Sequence, residues 1–324
     1  MFYFNLWMYL YMKQILVVLS IILFIGGCQF STIPGMTPTT QEAPIAEAQT
    51  EDTLSTQIKL EPPVSPVVVE ASNRLQALVI GNRNYQKGPD LKNSINDAVS
   101  MRDTLKDMGF EVTFKTNLKN PTAMDAVIND FVEHLAVLNQ QGITNAVGLF
   151  YFAGHGVNRE KDRKNFLIPT DDTLIRNAED LDDNAVWERS VVNRMQQANK
   201  ALNIAIVDAC RNYALARSVS GLTTRGLRQA VEGDISSQTK VIKGGTVIAF
   251  SASDGQQSSD EGPDGVHGLY TYHLLGVIKS LPPDAARLED IFMYTRNKVS
   301  KENQSQTPVA EFGLNSLCTL TGCM

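Results

Sequence analysis

A histidine between two glycines and a cysteine between two charged neighbourhoods are the residues of this chain best suited to covalent chemistry. His155 stands in Tyr151-Phe152-Ala153-Gly154-His155-Gly156, and Cys210 follows 55 residues later in Asp208-Ala209-Cys210-Arg211-Asn212. A thiol becomes a nucleophile when a neighbouring imidazole takes its proton or stabilises the thiolate. The pair therefore suits acyl transfer, with the imidazole returning a proton to the leaving group. The plainer alternatives are a buried structural cysteine and a packed loop histidine. Glycines on both sides of His155 argue against the second, because they let the backbone approach a ligand closely and turn sharply. The place of Cys210 after a strand end, between Asp208 and Arg211, argues against the first.

The elements that must position these residues are legible as short apolar runs alternating with helix-period segments. Leu75–Ile80, Glu111–Lys115, Ala146–Phe152, Leu202–Val207 and Thr246–Phe250 read as strands. Several are apolar throughout, which predicts parallel strands covered on both faces. Helical patterns fall at about 94–108, 121–140, 187–200, 265–280 and 284–302. Alternation of this kind means right-handed crossovers and a mainly parallel α/β sheet between helices. Ligands in such sheets bind beyond the carboxyl ends of the strands, where His155 and Cys210 both fall.

Four segments in order, Ala77–Tyr85 (ALVIGNRNY), Tyr151–Gly156 (YFAGHG), Phe166–Asp171 (FLIPTD) and Asp208–Asn212 (DACRN), resemble the caspase-like cysteine peptidases. The likeness is to the metacaspase, paracaspase and orthocaspase branch and covers roughly residues 74–281, weakly extending to Gln306-Thr307-Pro308. It implies a caspase-like three-layer sandwich with a mostly parallel six-stranded sheet. It implies Cys210 as nucleophile, His155 as acid–base, and the backbone N–H groups of Gly156 and Cys210 as an oxyanion hole. It also implies that Asp208 lines an S1 pocket for Arg or Lys. A carboxylate two residues from a nucleophilic thiol must point away from the sulfur in any case, or it would raise the thiol pKa. Asp97 matches a second pocket acid, although Ser94-x-x-Asp97 equally resembles a helix N-terminal box. For a third acid the register offers Gln257, with Asp254 and Asp260 nearby; Asp260 is the choice if such an acid exists. Calcium is an analogy from some metacaspases, with Asp171-Asp172 and Asp182-Asp183 as acids able to serve, and no cofactor is expected.

The N-terminus reads as an address. Lys13, an apolar run from Ile15 to Ile25 and Gly26-Gly27-Cys28 make a secretory signal over residues 1–27, and Ile25–Cys28 resembles the bacterial lipobox. Cys28 would then carry the lipid, anchoring the protein at the outer membrane or periplasmic face of a bacterial envelope, outside the cytoplasm. An uncleaved anchor helix is the alternative, and Met12 is a more natural start than Met1. Residues 28–72 carry six acids against one base and six of the thirteen prolines, so they read as a disordered tether. A flexible coil of that length reaches roughly 35–40 Å. The peptidase-like domain is assigned to 73–324.

A net charge of −6, from 29 basic and 35 acidic residues, leaves no cationic excess for a nucleic-acid partner. Protein or peptide substrates with Arg or Lys at P1 are the expected partners. His134, His267 and His273 receive no role, and His and Cys are too sparse for a zinc site. Cys318 and Cys323 suit either a small disulfide or two thiols. Arg217, Arg225, Arg228, Lys240 and Lys243 are candidate self-cleavage positions or ordinary bases of an exposed loop. The competing class is a catalytically silent caspase-fold scaffold or sensor of the envelope. No Gly-rich phosphate loop follows the first strand, which excludes a nucleotide-binding reading.

Overall fold

The five runs become the five parallel strands of one sheet. The structure, a computed structural model, describes residues 74–324 except 160, 163, 211–221, 224–243, 254–255 and 283–284. The signal, lipid site and tether, Asp254 and the five basic loop positions lie outside the described residues. In chain order the elements are β1 (Leu75–Gly81), α1 (Ser94–Asp107), β2 (Glu111–Thr116), α2 (Pro121–Gln140), β3 (Val147–Arg159), β4 (Lys164–Leu167), α3 (Leu181–Asn184), β5 (Val186–Trp187), α4 (Glu188–Ala198), β6 (Leu202–Cys210), β7 (Leu222–Thr223), β8 (Thr246–Phe250), α5 (Leu269–Ser280), α6 (Leu288–Glu302), β9 (Val309–Gly313), β10 (Cys318–Thr319) and β11 (Gly322–Cys323).

The main path of the sheet runs β2-β1-β3-β6-β8-β9. Its first five strands are parallel and β9 is antiparallel to β8. The chain leaves β1 toward β2 and then returns to the other side of β1 as β3, which makes a topological switch point at the carboxyl ends of β1 and β3. Reversal of direction with right-handed crossovers sends successive helices to opposite faces. Accordingly, Ala98, Met101 and Leu105 of α1 pack with Val147, Leu149 and Tyr151. Met124, Ile128 and Leu135 of α2 pack with Phe150 and Phe152 on the other face. Unbroken apolar runs are what two covered faces require, and each such side chain removed from water is worth roughly 1.5–3 kcal/mol.

The structure corrects one local expectation. YFAGHG is no loop and makes no sharp turn: β3 continues straight through it to Arg159. Beyond Gly156 it forms a second antiparallel layer with β4 and β7, and β4 pairs in turn with β5. Helices α5 and α6 start at Leu269 and Leu288, four residues later than the periodicity suggests, which leaves 265–268 as a loop. Cys318 and Cys323 are joined as a disulfide across the β10–β11 ladder. Arg74 ties this hairpin to the start of β1 by donating to the Thr321 carbonyl at 2.7 Å.

Candidate active site

The carboxyl ends of β3 and β6 bring the two motifs together. The parallel register pairs Ala153 with Asp208, Gly154 with Ala209 and His155 with Cys210. Neighbouring strands lie about 4.8 Å apart in the hydrogen-bonding direction, so the backbone puts the histidine and cysteine side by side.

His155 is fully buried and held on three sides. Its Nε2 lies 2.8 Å from the Pro89 carbonyl oxygen. A carbonyl can only accept, so Nε2 carries the proton and Nδ1 becomes the nitrogen that exchanges a proton with a substrate or thiol. Its backbone N–H donates to the Tyr85 hydroxyl at 2.7 Å, and the Tyr85 ring lies 4.2 Å from the imidazole, centroid to centroid. This hydroxyl does the work of a missing strand. Pairing with β1 ends at Gly81 and Ala153, and the last bond of that edge is Asn82 N–H to Ala153 C=O. Beyond it the Tyr85 oxygen takes the place of a ladder carbonyl. Gly154 is required beside it, because a Cβ there would sit 2.8 Å from that hydroxyl. The glycine thus serves close approach, as expected, but of a tyrosine and not through a turn. Tyr85→Phe should remove the hydroxyl that accepts from the buried His155 N–H, at a cost of roughly 1–3 kcal/mol. The expected result is a fall in kcat on the order of tenfold with KM little changed, read from steady-state kinetics on a peptide substrate; an unaltered kcat would dismiss this role.

The loop that carries Pro89 is suspended from polar side chains. The Asn117 side-chain oxygen accepts from Arg83 and Asn84 N–H, and Asp172 accepts from Lys87 and Gly88 N–H at 2.8 Å each. Asp172 is fully buried and serves as a structural acceptor. Asp182 is likewise engaged, by Arg159 at 2.6 Å. Among the described residues no group of three or more His, Cys, Asp or Glu side chains is placed to hold a metal ion.

Gly156 follows His155 in the antiparallel part of β3. Ile168 N–H bonds His155 C=O at 3.0 Å, which makes that pair the hydrogen-bonded one. Bonded and non-bonded pairs alternate in such ladders, so the Gly156–Leu167 pair is non-bonded and the Gly156 N–H faces away from β4.

Asp97, Asp208 and Asp260 line one cleft with Leu91, Gly154 and Gly268. Asp208 is buried in a hydroxyl network. Thr271 Oγ1 donates to its Oδ2 at 2.6 Å, Tyr151 Oη lies 2.6 Å from Thr271 Oγ1, and Ser258 Oγ donates to Oδ1 at 3.3 Å. Because Thr271 spends its proton on the carboxylate, Tyr151 is the donor to Thr271. Asp97 is not a helix cap. Asn93 is the N-cap, and both Asp97 oxygens accept from the Gly268 N–H across the cleft, at 3.0 and 3.2 Å. Gly268 lies between the two acids: a Cβ on it would approach Asp97 Oδ2 to 3.1 Å and Asp208 Oδ2 to 3.7 Å. Asp260 accepts from Lys92 and Asn93 N–H at the entry to α1, at 2.6 and 3.3 Å, whereas Gln257 is exposed.

Burial raises all three carboxyls. It pushes Asp208 up to about 6 against the hydrogen bonds from Thr271, Ser251 and Ser258, with repulsion from Asp260 adding to it. Burial and then repulsion by Asp208 raise Asp97 well above the usual carboxylate range. Asp260 is raised by burial against the N–H bonds of Lys92 and Asn93. Converging carboxylates of this kind create a negative potential that a guanidinium or ammonium group neutralises.

Tyr85, Pro89, Thr271 and Gly268 escaped notice in the sequence as site residues. Tyr85 sits inside the ALVIGNRNY motif, and that position was the only signal. The other histidines divide: His134 is exposed, His273 Nε2 lies 3.1 Å from Glu302, and His267 lies between two polar partners.

A doubly wound α/β sheet with a histidine and a cysteine on register-paired strands has the architecture of a thiol-dependent hydrolase domain. The family model described as "Caspase domain" matches residues 74–317, and the chain belongs to that family, the caspase-like cysteine peptidases. Among curated relatives, the human mucosa-associated lymphoid tissue lymphoma translocation protein 1 is 29% identical over 135 residues, 42% of this chain and 15% of that protein. Its mouse homologue is 28% identical over 135 residues, 42% of this chain and 14% of the relative. The chain thus spans about a seventh of the length of those relatives.

Proposed function

We propose that this chain is a cysteine endopeptidase that cleaves after Arg, or after Lys, with Cys210 as nucleophile and His155 as acid–base. The Cys210 thiolate attacks the scissile carbonyl, the N–H groups of Gly156 and Cys210 hold the oxyanion, and His155 Nδ1 delivers a proton to the leaving amine. Water then hydrolyses the acyl-enzyme with the same imidazole as base. The observation that carries the reading is the pairing of His155 with Cys210 beside a cleft lined by three carboxylates. Asp97, Asp208 and Asp260 would receive the P1 cation there.

The test compares peptides ending in Arg with isosteres ending in uncharged citrulline. Below pH 6 the raised carboxyl of Asp208 is protonated and neutral; above it the carboxylate is charged. The ratio of kcat/KM for Arg over citrulline should therefore climb as pH rises through about 6. The titration of the dyad cancels in that ratio. A ratio near one, or one flat from pH 5 to 7.5, would remove the pocket from the proposal.

Residues 1–27 as a secretory signal and Cys28 as a lipid carrier complete the proposal, putting the peptidase on an envelope surface outside the cytoplasm. Among the described residues no helix is long and apolar enough to cross a membrane. Cys28→Ser should shift the protein from the membrane pellet to the soluble fraction; equal partitioning of both forms in a bacterial host would exclude the anchor.

A further inference from the structure

A second nucleophile–base–acid arrangement lies on α1, apart from His155 and Cys210. Ser100 Oγ is 2.8 Å from His267 Nε2, and His267 Nδ1 is 2.6 Å from Asp264 Oδ2. The other Asp264 oxygen accepts from the backbone N–H groups of Val266 and His267, at 3.0 Å each, so the carboxylate is fixed in place. Burial would lift that carboxyl, but the bonds from His267 and these backbone donors outweigh it and hold it below the usual range. An ionised Asp264 takes the Nδ1 proton, which turns the Nε2 lone pair toward the Ser100 hydroxyl. The imidazole is 18% exposed and Asp264 31%, so a small reagent reaches the pair.

The loop is held against one turn of α1 by further bonds. Asn96 Nδ2 donates to the Val266 carbonyl at 3.1 Å, and Asp97 accepts from Gly268 N–H at 3.0 Å. The serine and its base therefore belong to two separate elements tied together on both sides of the contact. A nucleophile bonded to a base that a third group orients is the geometry that activates a hydroxyl.

We propose that Ser100 is an activated serine that accepts acyl groups from esters with good leaving groups, using His267 as base and Asp264 to orient it. The Ser100 oxygen attacks the carbonyl carbon and its proton passes to His267 Nε2. The carbon–oxygen bond to the leaving group then breaks, and the alcohol departs with that proton. Acyl-Ser100 and neutral His267 remain. Ser100 lies inside a helix whose N–H groups are committed to its own carbonyls, so the turn offers no backbone oxyanion hole. Lack of such donors costs about 10²–10³ in rate, so the group is accepted once and turned over poorly.

An alkyl fluorophosphonate is the probe: the Ser100 oxygen displaces fluoride from phosphorus, and its proton leaves with the fluoride by way of His267. The experiment uses the full chain carrying Cys210→Ala, which prevents the cysteine from consuming the reagent. Cleavage after Lys92 and Arg102 yields one peptide holding Ser94 and Ser100, which fragmentation separates. The expected result is an adduct on Ser100, absent in S100A and formed on the order of a hundredfold more slowly in H267A and D264N. Melting temperatures check that the variants fold, and the exchange of one oxygen for an amide in D264N decides if H267A does not. No Ser100 adduct at reagent levels that label a serine esterase would overturn the proposal, as would labelling equally fast in a folded H267A or D264N.

Discussion

Replacing Cys210 with alanine is expected to bring hydrolysis of an Arg-ending peptide down to the uncatalysed rate. Among the described residues no other thiol is paired in register with His155. Covalent catalysis has no bypass here: without the thiolate there is no acyl-enzyme, and an imidazole alone would have to activate water at a distance. His155→Ala should cost about 10⁴ in kcat, the scale seen when one member of a nucleophile–base unit is removed. The two losses should not add, because the residues act as one unit. A double variant no worse than Cys210→Ala alone is the expected outcome of the cycle. The measurement is release of fluorophore under saturating substrate, with an Arg chloromethyl ketone marking competent sites. Turnover by Cys210→Ala equal to the parent chain would end the peptidase reading, leaving the caspase fold in a binding role.

Asp208→Asn should be the next largest change. Asp208 is buried, bonded to Thr271 at 2.6 Å, and faces the cleft that Asp97 and Asp260 share. A P1 guanidinium drawn into that cleft is desolvated, and taking away one buried partner of such a pair costs about 3–5 kcal/mol. At 1.4 kcal/mol per tenfold, kcat/KM for Arg peptides should fall by roughly 100- to 4,000-fold. Alkylation of Cys210 by iodoacetamide should continue at the parent rate, because that small neutral reagent does not occupy the cleft. The substitution also relieves repulsion with Asp97, whose raised carboxyl owes part of its shift to Asp208. The variant should therefore be at least as stable to heat as the parent while binding the cation poorly. A loss of iodoacetamide reactivity in step with peptidase activity would assign Asp208 to the geometry of the nucleophile and not to recognition.

Much of this was open to reading in one dimension. Runs such as LQALVI and TVIAF are apolar on both faces, so they could only be covered parallel strands, and β1 and β8 fall within a residue of their expected limits. The Cys210 motif sits where its strand ends and the His155 motif where β3 runs past the end of β1, and strand order then needed only the crossover rule to bring them near. Asp97 was readable only as one of two things, a cap or a pocket acid, since a carboxylate near a helix start suits both. His267 received no role because its partners Ser100 and Asp264 lie 167 and 3 residues before it in sequence and on different elements.

The chain alone determined the alternation of elements, the chemistry-bearing pair and the family they belong to, because burial periodicity and strand ends are local properties of the sequence. Packing decided the rest: the Pro89 carbonyl on His155 spans 66 residues, Thr271 on Asp208 spans 63, and Gly268 on Asp97 spans 171. Each of these contacts depends on how far one helix or loop lies along its neighbour. That displacement is set by the fit of many side chains at once, and no short stretch of residues encodes it.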